Sequence, residues 1–452
     1  MGKKIYSSLF FVCALLLVSS GISYFAGGSS TLIGILLIAG LAALATAVRG
    51  SDKLKGFSYT LWIFTAVAAA MFFPKYFVSV GDFKFKTLIT PLLQVIMFGM
   101  GSQLSLKDFT GVIKMPKGVI VGVFSHYMIM PLIAFTIASI FNFPPEIAAG
   151  IILIGCVPSG LASNVMSFLA HANVALGITV GAISTLLSPF VTPSLMKWLG
   201  GQYIAVDFWK MMMDILNMII LPIVAGFIFN LYAKGKETKK ARITQLISYI
   251  VVIILTNVVF LKASGTDFSG LMIHFVKAMC WFFFLPMVGG IALARILKDD
   301  FKVMESILSM VSMVGITFIV VVITASGRDD LMKVGALLIL TSLMHNLTGY
   351  FTGYWLSRLV GLPEKDRRTV AFEVGMQNGG LASGLALGMG KMATVGLAPA
   401  VFGPLMNITG SILANFWRGK PPVENKTETE IETEKKVSEE VTEKETEKID
   451  IK

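Results

Sequence analysis

Residues Glu373–Gly380 read EVGMQNGG and lie in the middle of a mostly apolar stretch that covers residues 367–390. They combine one carboxylate, two side-chain amides and three glycines at a depth where a lipid-facing helix is normally apolar. Charge or unwound backbone at that depth costs several kcal/mol unless it lines a cavity or binds an ion. The stretch therefore predicts a membrane helix that is broken at its centre, with a binding site at the break.

A second interrupted stretch, Gly155–Asn164, reads GCVPSGLASN within the apolar residues 146–170. Pro158 lacks a backbone N–H, and the glycines on either side loosen a helix. Each break is followed by a short loop and one more apolar helix, Val174–Trp198 in the first case and Val395–Trp417 in the second. Five spans separate the breaks in a ten-span core, and an odd repeat length inserts two halves with opposite orientations. The pattern predicts an inverted-repeat secondary transporter.

The composition of the whole chain agrees with a membrane protein. Of 452 residues, 55% are hydrophobic and 14% are charged, and the mean hydropathy is +0.77. The apolar segments do not alternate with polar residues as barrel strands would, so an all-α membrane protein with about 14 transmembrane helices is expected. We place these helices near residues 6–25, 31–48, 57–80, 87–105, 118–141, 146–170, 173–198, 209–233, 244–262, 270–296, 303–325, 333–358, 367–390 and 393–416.

The basic residues indicate orientation rather than a partner. The net charge is +11, but Lys and Arg lie in short loops and form no stripe for nucleic acid. The loops that the positive-inside rule assigns to the cytoplasm are basic, which predicts a multi-pass cell (inner) membrane protein with both termini cytoplasmic. Three lysines fall on the outer side in this scheme and argue against the predicted third and fourth spans: Lys75, Lys84 and Lys86. A cleaved signal peptide is the alternative for the first span, and the three cysteines indicate neither a disulfide framework nor a zinc site.

Four short motifs carry a resemblance to a known family. They are ASN at 162–164, STLLSP at 184–189, EVGMQN at 373–378 and NITGS at 407–411, and they resemble the bile acid:sodium symporter family. The resemblance covers roughly residues 57–233 and 303–417. It implies a panel domain and a core domain, with two broken helices that cross in the core and two sodium ions bound there.

The chain is longer than the family core, and we divide it accordingly. Residues 1–56 would form two extra transmembrane helices, and residues 234–302 an inserted helical hairpin between the two core segments, 57–233 and 303–417. Residues 418–452 contain mainly Glu, Lys and Thr, which cannot bury enough apolar surface to fold, so we expect a disordered charged cytoplasmic tail.

By resemblance, one sodium site uses the side chains of Ser163, Asn164 and Glu373 together with hydroxyl groups from the following helix. The positions that offer these hydroxyl groups in the family are Gly177 and Gly181 here, and glycine has no side-chain oxygen. This departure puts the first sodium site in doubt. Neighbouring hydroxyl groups that could substitute, although on different helix faces, belong to Thr179, Ser184 and Thr185.

The other sodium site implied by the resemblance uses Glu373, Gln377 and the carbonyl groups of Val374 and Met376. Its remaining ligand is a Gln in the family and aligns with His126, whose nitrogen is a softer ligand than the oxygen that Na⁺ prefers. We therefore expect fewer than two sodium ions, with one at Glu373 and Gln377. An imidazole titrates near neutral pH, so proton coupling is an alternative, and a helix-packing role for His126 is a third reading.

Two amides are candidates for contact with the substrate. Asn378 and Asn407 match positions that line the substrate cavity in the family, and an amide can donate to a carboxylate or sulfonate. The expected solute is a bile-acid-like molecule or, by preference, a small carboxylate, since half-helix N-termini at the breaks favour negative charge. The other histidines, among them His171 and His345, are placed near span ends, where an interfacial role is expected.

The predicted function is sodium-coupled symport of an organic anion by alternating access. Proton-coupled transport and a non-transporting membrane sensor remain open, and a channel is a further alternative. Ser159, Ser163 and His171 lie near each other in sequence but have no third partner, so an intramembrane hydrolase is not expected. The expected partners are the solute and membrane lipids, with no protein partner predicted.

Overall fold

The computed structural model describes residues 3–51, 54–104, 111–234, 302–420 and 422, and between 242 and 297 it describes 243, 247, 251, 254–261, 268–285, 288–289, 292 and 295–296. The described residues are almost entirely helical, as predicted. In chain order the α-helices are α1 Lys3–Phe25, α2 Ser30–Ala47, α3 Ser58–Phe72, α4 Lys75–Val78, α5 Ile89–Gly101, α6 Gly111–Lys114, α7 Pro116–Ile140, α8 Pro145–Cys156, α9 Ala162–Leu169, α10 Val174–Leu199, α11 Phe208–Ile215, α12 Leu221–Lys234, α13 Phe268–Met279, α14 Lys302–Ser326, α15 Arg328–Leu359, α16 Glu364–Gly375, α17 Gly379–Gly388 and α18 Leu397–Arg418.

Shorter elements connect or interrupt these helices. Two π-helical segments, Leu216–Ile220 and Cys280–Phe284, continue α11 and α13. The 3-10 turns are Val48–Gly50, Lys55–Phe57, Phe85–Leu88 and Gly200–Gln202. A small antiparallel hairpin, β1 Ser79–Val80 and β2 Phe83–Lys84, is a minor exception to the all-α prediction.

Local sequence explains where several helices begin. Asn173 caps α10, because its side chain accepts from the backbone N–H of Leu176 at 3.1 Å. Asp207 caps α11 in the same way through Lys210 at 3.0 Å. Helices α7 and α8 begin with Pro116 and Pro145 at their first positions, where the missing N–H has no helical partner anyway.

The helices pack into two groups. The panel group consists of α3, α5, α11, α12 and α14, and the core group consists of α7 to α10 and α15 to α18. The N-terminal pair α1 and α2 extends the panel group, because α2 packs against α3. The two groups meet where α10 contacts α11, where α17 contacts α5, α11 and α14, and where α18 contacts α3 and α14. This division agrees with the predicted panel and core domains.

A row of glycines on α17 faces the panel group. Gly380, Gly384 and Gly388 are spaced four residues apart and therefore lie on one helix face. A Cβ atom added to Gly384 would lie 2.5 Å from Cδ1 of Leu93 on α5, and one added to Gly388 would meet the carboxylate of Asp214 on α11. The backbone of α17 thus touches panel side chains directly, as small residues allow between membrane helices.

The buried guanidinium of Arg368 joins three ends of the core group. Its Nε donates to Oε1 of Glu364 at 2.8 Å, one turn earlier in α16. Its Nη1 donates to the carbonyl of Ala170, after α9, at 3.1 Å and to that of Trp417, in the last turn of α18, at 3.2 Å. Its Nη2 donates to the carbonyl of Lys420 at 2.8 Å. Arg368 therefore connects the N-terminal end of the second broken helix to the C-terminal end of the first.

Seven helices in the described ranges are long and apolar enough to cross a membrane. They are Tyr6–Phe25, Ser30–Gly50, Pro116–Ile140, Val174–Gln202, Phe208–Asn230, Arg328–Leu359 and Leu397–Arg418. Shorter apolar helices are Phe85–Gly101, Pro145–Cys156, Met310–Ser326 and Gly379–Gly388, of which two are halves of the broken helices. The count of about fourteen stays a prediction, since about half of residues 234–302 and nearly all of residues 418–452 lie outside the described residues.

The third predicted span ends earlier than the sequence indicated. It was expected to continue to residue 80, but α3 ends at Phe72, just before Pro74. The chain then turns through α4 and the β-hairpin, where Gly81 has a φ of 57°, a left-handed conformation that glycine adopts without strain. Lys75 and Lys84 lie in this connection, outside α3 and α5, so they do not have to be accommodated within either helix.

Candidate functional site

The two predicted breaks meet and pair through their backbones. The first lies between Cys156, where α8 ends, and Ala162, where α9 begins, and the second lies between α16 and α17. Ser159 and Gln377 form an isolated antiparallel bridge at the crossing. Around it the N–H of Gly160 donates to the carbonyl of Met376 at 3.0 Å, and the N–H of Asn378 donates to that of Pro158 at 2.9 Å. Each break therefore satisfies backbone groups of the other.

The crossing leaves no room for a side chain at one position. A Cβ atom added to Gly160 would lie 2.6 Å from the carbonyl oxygen of Gln377, closer than real Cβ contacts come. Glycine at 160 is thus required by the close approach of the two chains, which gives the sequence signal in this loop a structural reason.

Glu373 is fully buried in the last turn of α16, beside the crossing. Its Oε1 accepts a hydrogen bond from Oγ of Ser163 at 2.5 Å. Its Oε2 is buried without a hydrogen-bond partner in the described part of the chain, and the same holds for Oδ1 of Asn164. A buried carboxylate needs a counter-charge at low dielectric, so this pair of unpartnered oxygens fits a cation.

Helix α10 presents glycine to this carboxylate. A Cβ atom added to Gly177 would lie 2.7 Å from Oδ1 of Asn164 and 3.3 Å from Oε1 of Glu373. One added to Gly181 would lie 3.5 Å from Oε2 of Glu373. These two positions therefore face the site that the resemblance assigned to hydroxyl ligands, and the space beside the carboxylate is wider than serine and threonine would leave it.

The neighbouring hydroxyl groups are hydrogen-bonded within their own helix. The hydroxyl group of Thr179 donates to the carbonyl of Ala175 at 2.9 Å. Those of Ser184 and Thr185 both donate to the carbonyl of Gly181, at 3.0 and 2.7 Å. All three hydroxyl groups thus bond to the backbone of their own helix, a common arrangement for Ser and Thr in membrane helices.

The residues expected at the other sodium site gather around the end of α16. Nδ1 of His126 lies 2.8 Å from the carbonyl oxygen of Glu373, and its Nε2 lies 2.9 Å from that of Val157. Nε2 of Gln377 donates to the carbonyl of Val374 at 2.9 Å. Oε1 of Gln377 is buried with no hydrogen-bond partner among the described residues. His126, on α7, thus connects one break with the other.

The two candidate substrate residues lie near one junction of α17 and α18. Oδ1 of Asn378 caps α17 by accepting from the N–H of Leu381 at 3.0 Å, which leaves its amide nitrogen as a donor. Asn407 is half-buried on α18 and forms no side-chain hydrogen bond within the described ranges. Gly403, one turn before Asn407, faces open space, since no described heavy atom outside its own helix lies within 4 Å of an added Cβ atom.

A buried polar group on α15 was missed by the sequence reasoning. Nδ2 of Asn346 donates to the carbonyl of Gly375, the last residue of α16, at 2.8 Å. Oγ1 of Thr409 donates to Oδ1 of Asn346 at 2.5 Å. His345 was expected near a span end, but it is buried midway along the 32-residue α15, and its Nε2 lies 3.0 Å from the carbonyl oxygen of Met130. Two adjacent polar residues, His345 and Asn346, inside an apolar run were the available signal.

Comparison with known proteins identifies relatives of the chain. The family model described as "Sodium Bile acid symporter family" matches residues 90–268. The chain is 31% identical over 374 residues to the "Uncharacterized sodium-dependent transporter YocS" of Bacillus subtilis (strain 168), covering 82% of this chain and 94% of the relative. It is 28% identical over 370 residues to the "Probable sodium/metabolite cotransporter BASS1, chloroplastic" of Oryza sativa subsp. japonica, covering 80% of this chain and 73% of the relative.

A solved structure of the sodium proton antiporter MjNhaP1 from Methanocaldococcus jannaschii is also similar. It covers 88% of this chain and 100% of its own, with 14% identity and a TM-score of 0.45, which is too low to support an argument. The two named relatives are transporters rather than enzymes, and transporters of this kind carry a small molecule. The apolar helices of this chain indicate a multi-pass membrane protein. By its similarity to these relatives and to the family model, the chain belongs to the sodium bile acid symporter family.

Proposed function

We propose that the protein is a secondary active transporter that carries an organic anion together with sodium by alternating access. The observation that carries this proposal is the Glu373 carboxylate, which is fully buried, has an unpartnered Oε2, and lies with the unpartnered Oδ1 of Asn164 beside Gly177. Sodium, when bound, would supply the positive charge that this carboxylate lacks. The sodium-dependent relative from Bacillus subtilis supports the same coupling ion.

The residues at the crossing support an anionic solute. Helices α9 and α17 both begin there, so the positive ends of their dipoles point toward the same region. The amide of Asn378 is available to donate beside the first turn of α17, and Asn407 lies on the neighbouring helix. Among the described residues, Glu373 is the one acid that is fully buried, which leaves no second carboxylate at this depth to hold a cationic solute.

A small carboxylate, such as a 2-oxo or hydroxy acid, is the preferred solute over a bile-acid-like molecule. The open space beside Gly403 is adjacent to the donors, and an amphipathic anion of modest size needs no wider cavity. The same-sign charge of anion and carboxylate would be balanced by the co-transported cation, which lowers the cost of moving the anion through a low-dielectric interior.

The test is uptake into proteoliposomes that contain the purified full-length protein. A panel of 2-oxo acids, hydroxy acids, a bile-acid-like anion, an organic cation and a neutral sugar is offered under a sodium gradient at equal pH, and separately under a proton gradient with choline in place of sodium. We expect saturable carboxylate uptake that the sodium gradient accelerates. If uptake responds only to the proton gradient, the coupling ion is H⁺ rather than Na⁺. Binding without flux would support a non-transporting sensor.

Competition decides the substrate class independently of the coupling ion. Carboxylates or sulfonates should displace a bound labelled carboxylate and raise the thermal unfolding temperature of the detergent-solubilised protein. If the organic cation or the sugar does so instead, the anion assignment is wrong even though the family assignment stands.

A further inference from the structure

The carbonyl groups at the end of α16 are already bonded within the protein. The carbonyl of Glu373 faces His126 at 2.8 Å, and that of Val374 accepts from the side chain of Gln377 at 2.9 Å. The carbonyl of Gly375 accepts from the side chain of Asn346, on α15, at 2.8 Å. A helix end normally leaves these groups without partners, so that an ion can use them. Here side chains of the chain itself take that role.

The carbonyl of Met376, just beyond the helix end, accepts from the N–H of Gly160 across the crossing at 3.0 Å. A carbonyl oxygen has two lone pairs, so an accepted hydrogen bond alone does not exclude an ion. The decisive residue is His126, because both of its ring nitrogens point at carbonyl oxygens, of Glu373 and of Val157. Neither ring nitrogen is therefore directed at an ion beside Gln377.

The remaining oxygen atoms divide unequally between the two positions. Beside Gly177 and Gly181, Oδ1 of Asn164 and the carboxylate of Glu373 face one space. On the side of His126, Oε1 of Gln377 is the unpartnered side-chain oxygen in the described residues. One neutral amide oxygen is a poor substitute for several hard oxygen ligands of a cation.

The charge at the crossing also indicates a single sodium ion. Glu373 and Arg368 are the two charged residues that are buried in the described part of the chain, and Arg368 is bonded to helix ends at the base of the core group. In the protein without its anionic solute, a single carboxylate balances a single monovalent cation, whereas a second cation would leave an excess positive charge at low dielectric.

We infer that His126 takes the place of a second cation, so that the crossing binds one sodium ion, held by Asn164 and Glu373 beside the two glycines. This inference rests on the proposed sodium coupling. It moves the expected ion from the side of Gln377 to the side of Gly177, and it makes His126 a positioning residue that ties the two breaks together.

The experiment counts sodium ions on the purified full-length protein. Thermal unfolding is followed against sodium concentration, with choline keeping the ionic strength constant, and bound ²²Na⁺ is counted directly. Wild type should bind one ion with a Hill coefficient of about one, since the coefficient cannot exceed the number of coupled sites. His126→Gln removes the imidazole and adds an amide oxygen, and it should bind two ions with a coefficient clearly above one.

His345→Gln is the matched control, because His345 is also a buried imidazole that faces a carbonyl oxygen, but that carbonyl belongs to Met130 on α7 and not to either break. It should leave the count at one. Two ions on wild type, or one ion on folded His126→Gln, would overturn the inference while sodium coupling stands. Wild type that binds no sodium at all contradicts the proposed function instead. If His126→Gln does not fold, the number of sodium ions bound to the wild type tests the inference: one ion supports it and two ions contradict it.

Discussion

At the scale of single residues, Glu373 is the side chain on which the proposed transport depends. Glu373→Gln keeps the size of the side chain but removes the charge, so a cation at the crossing loses its counter-charge. We expect sodium-driven uptake to fall to the level of protein-free liposomes and the stabilisation by sodium to disappear, while the protein still folds. Asp330→Asn is the control, because Asp330 is a half-exposed acid paired with Lys333 at 3.5 Å. Near-normal driven uptake by Glu373→Gln would remove the cation-site assignment.

The residues of the site could be predicted from sequence to different extents. Glu373 and Gln377 stood out because ionisable and amide groups are rare at membrane depth. Asn164 was identified through the resemblance. Its contact with Gly177 depends on how two helices pack, which no local sequence pattern reveals. The bond from Asn346 to Gly375 was missed, because an Asn within a long helix gives no information about which distant carbonyl lacks a donor.

At the scale of elements, the paired breaks predict that Gly160 is intolerant of any side chain. Gly160→Ala would place a Cβ atom 2.6 Å from the carbonyl of Gln377 and push the two breaks apart. Overpacking of this kind costs about 1–3 kcal/mol, so the thermal unfolding temperature should fall, together with uptake. Gly201→Ala is the matched control, since no described heavy atom lies within 4 Å of an added Cβ atom there. Equal unfolding temperatures for the two variants would show that the crossing tolerates separation.

Both breaks fall inside the stretches that the sequence indicated, because proline, glycine and amide groups identify a helix end locally. The end of the third span was predicted less well. Apolar residues around Phe77 extend the hydrophobic run beyond Phe72, and only the turn chemistry of Pro74 and Gly81 separates helix from connection. The pairing of Ser159 with Gln377 joins residues far apart in the chain, and the sequence pattern alone could not specify its register.

At the scale of the whole molecule, Arg368 holds the ends of three core helices. Arg368→Met leaves the carbonyl groups of Ala170, Trp417 and Lys420 without this donor, with an expected loss on the order of 3 kcal/mol in the free energy of unfolding. Arg367→Met is the control, because the neighbouring side chain bonds to the carbonyl of Leu362 and lies 3.7 Å from Glu364, and it donates to none of the three carbonyl groups that Arg368 holds. The prediction is wrong if the two variants unfold at the same temperature.

The proposed topology places both termini in the cytoplasm and is tested by reporter fusions. Fusions after Lys53, Lys240 and Arg418 should all report the cytoplasmic side, because these positions lie in basic connections of the same predicted side. A fusion after Lys240 that reports the outside would contradict the predicted inserted hairpin at 234–302 and the count of about fourteen helices.

The glycine row on α17 determines how the two helix groups can move past each other. Gly380, Gly384 and Gly388 present bare backbone, so Leu93 and Asp214 of the panel group rest on a surface without protruding side chains. In mechanical terms this contact is a smooth sliding surface, without side chains at these three positions of α17 that interlock with the panel group. Displacement along it requires no side chain of these three positions to change rotamer, so no interlocking of side chains at these positions opposes sliding.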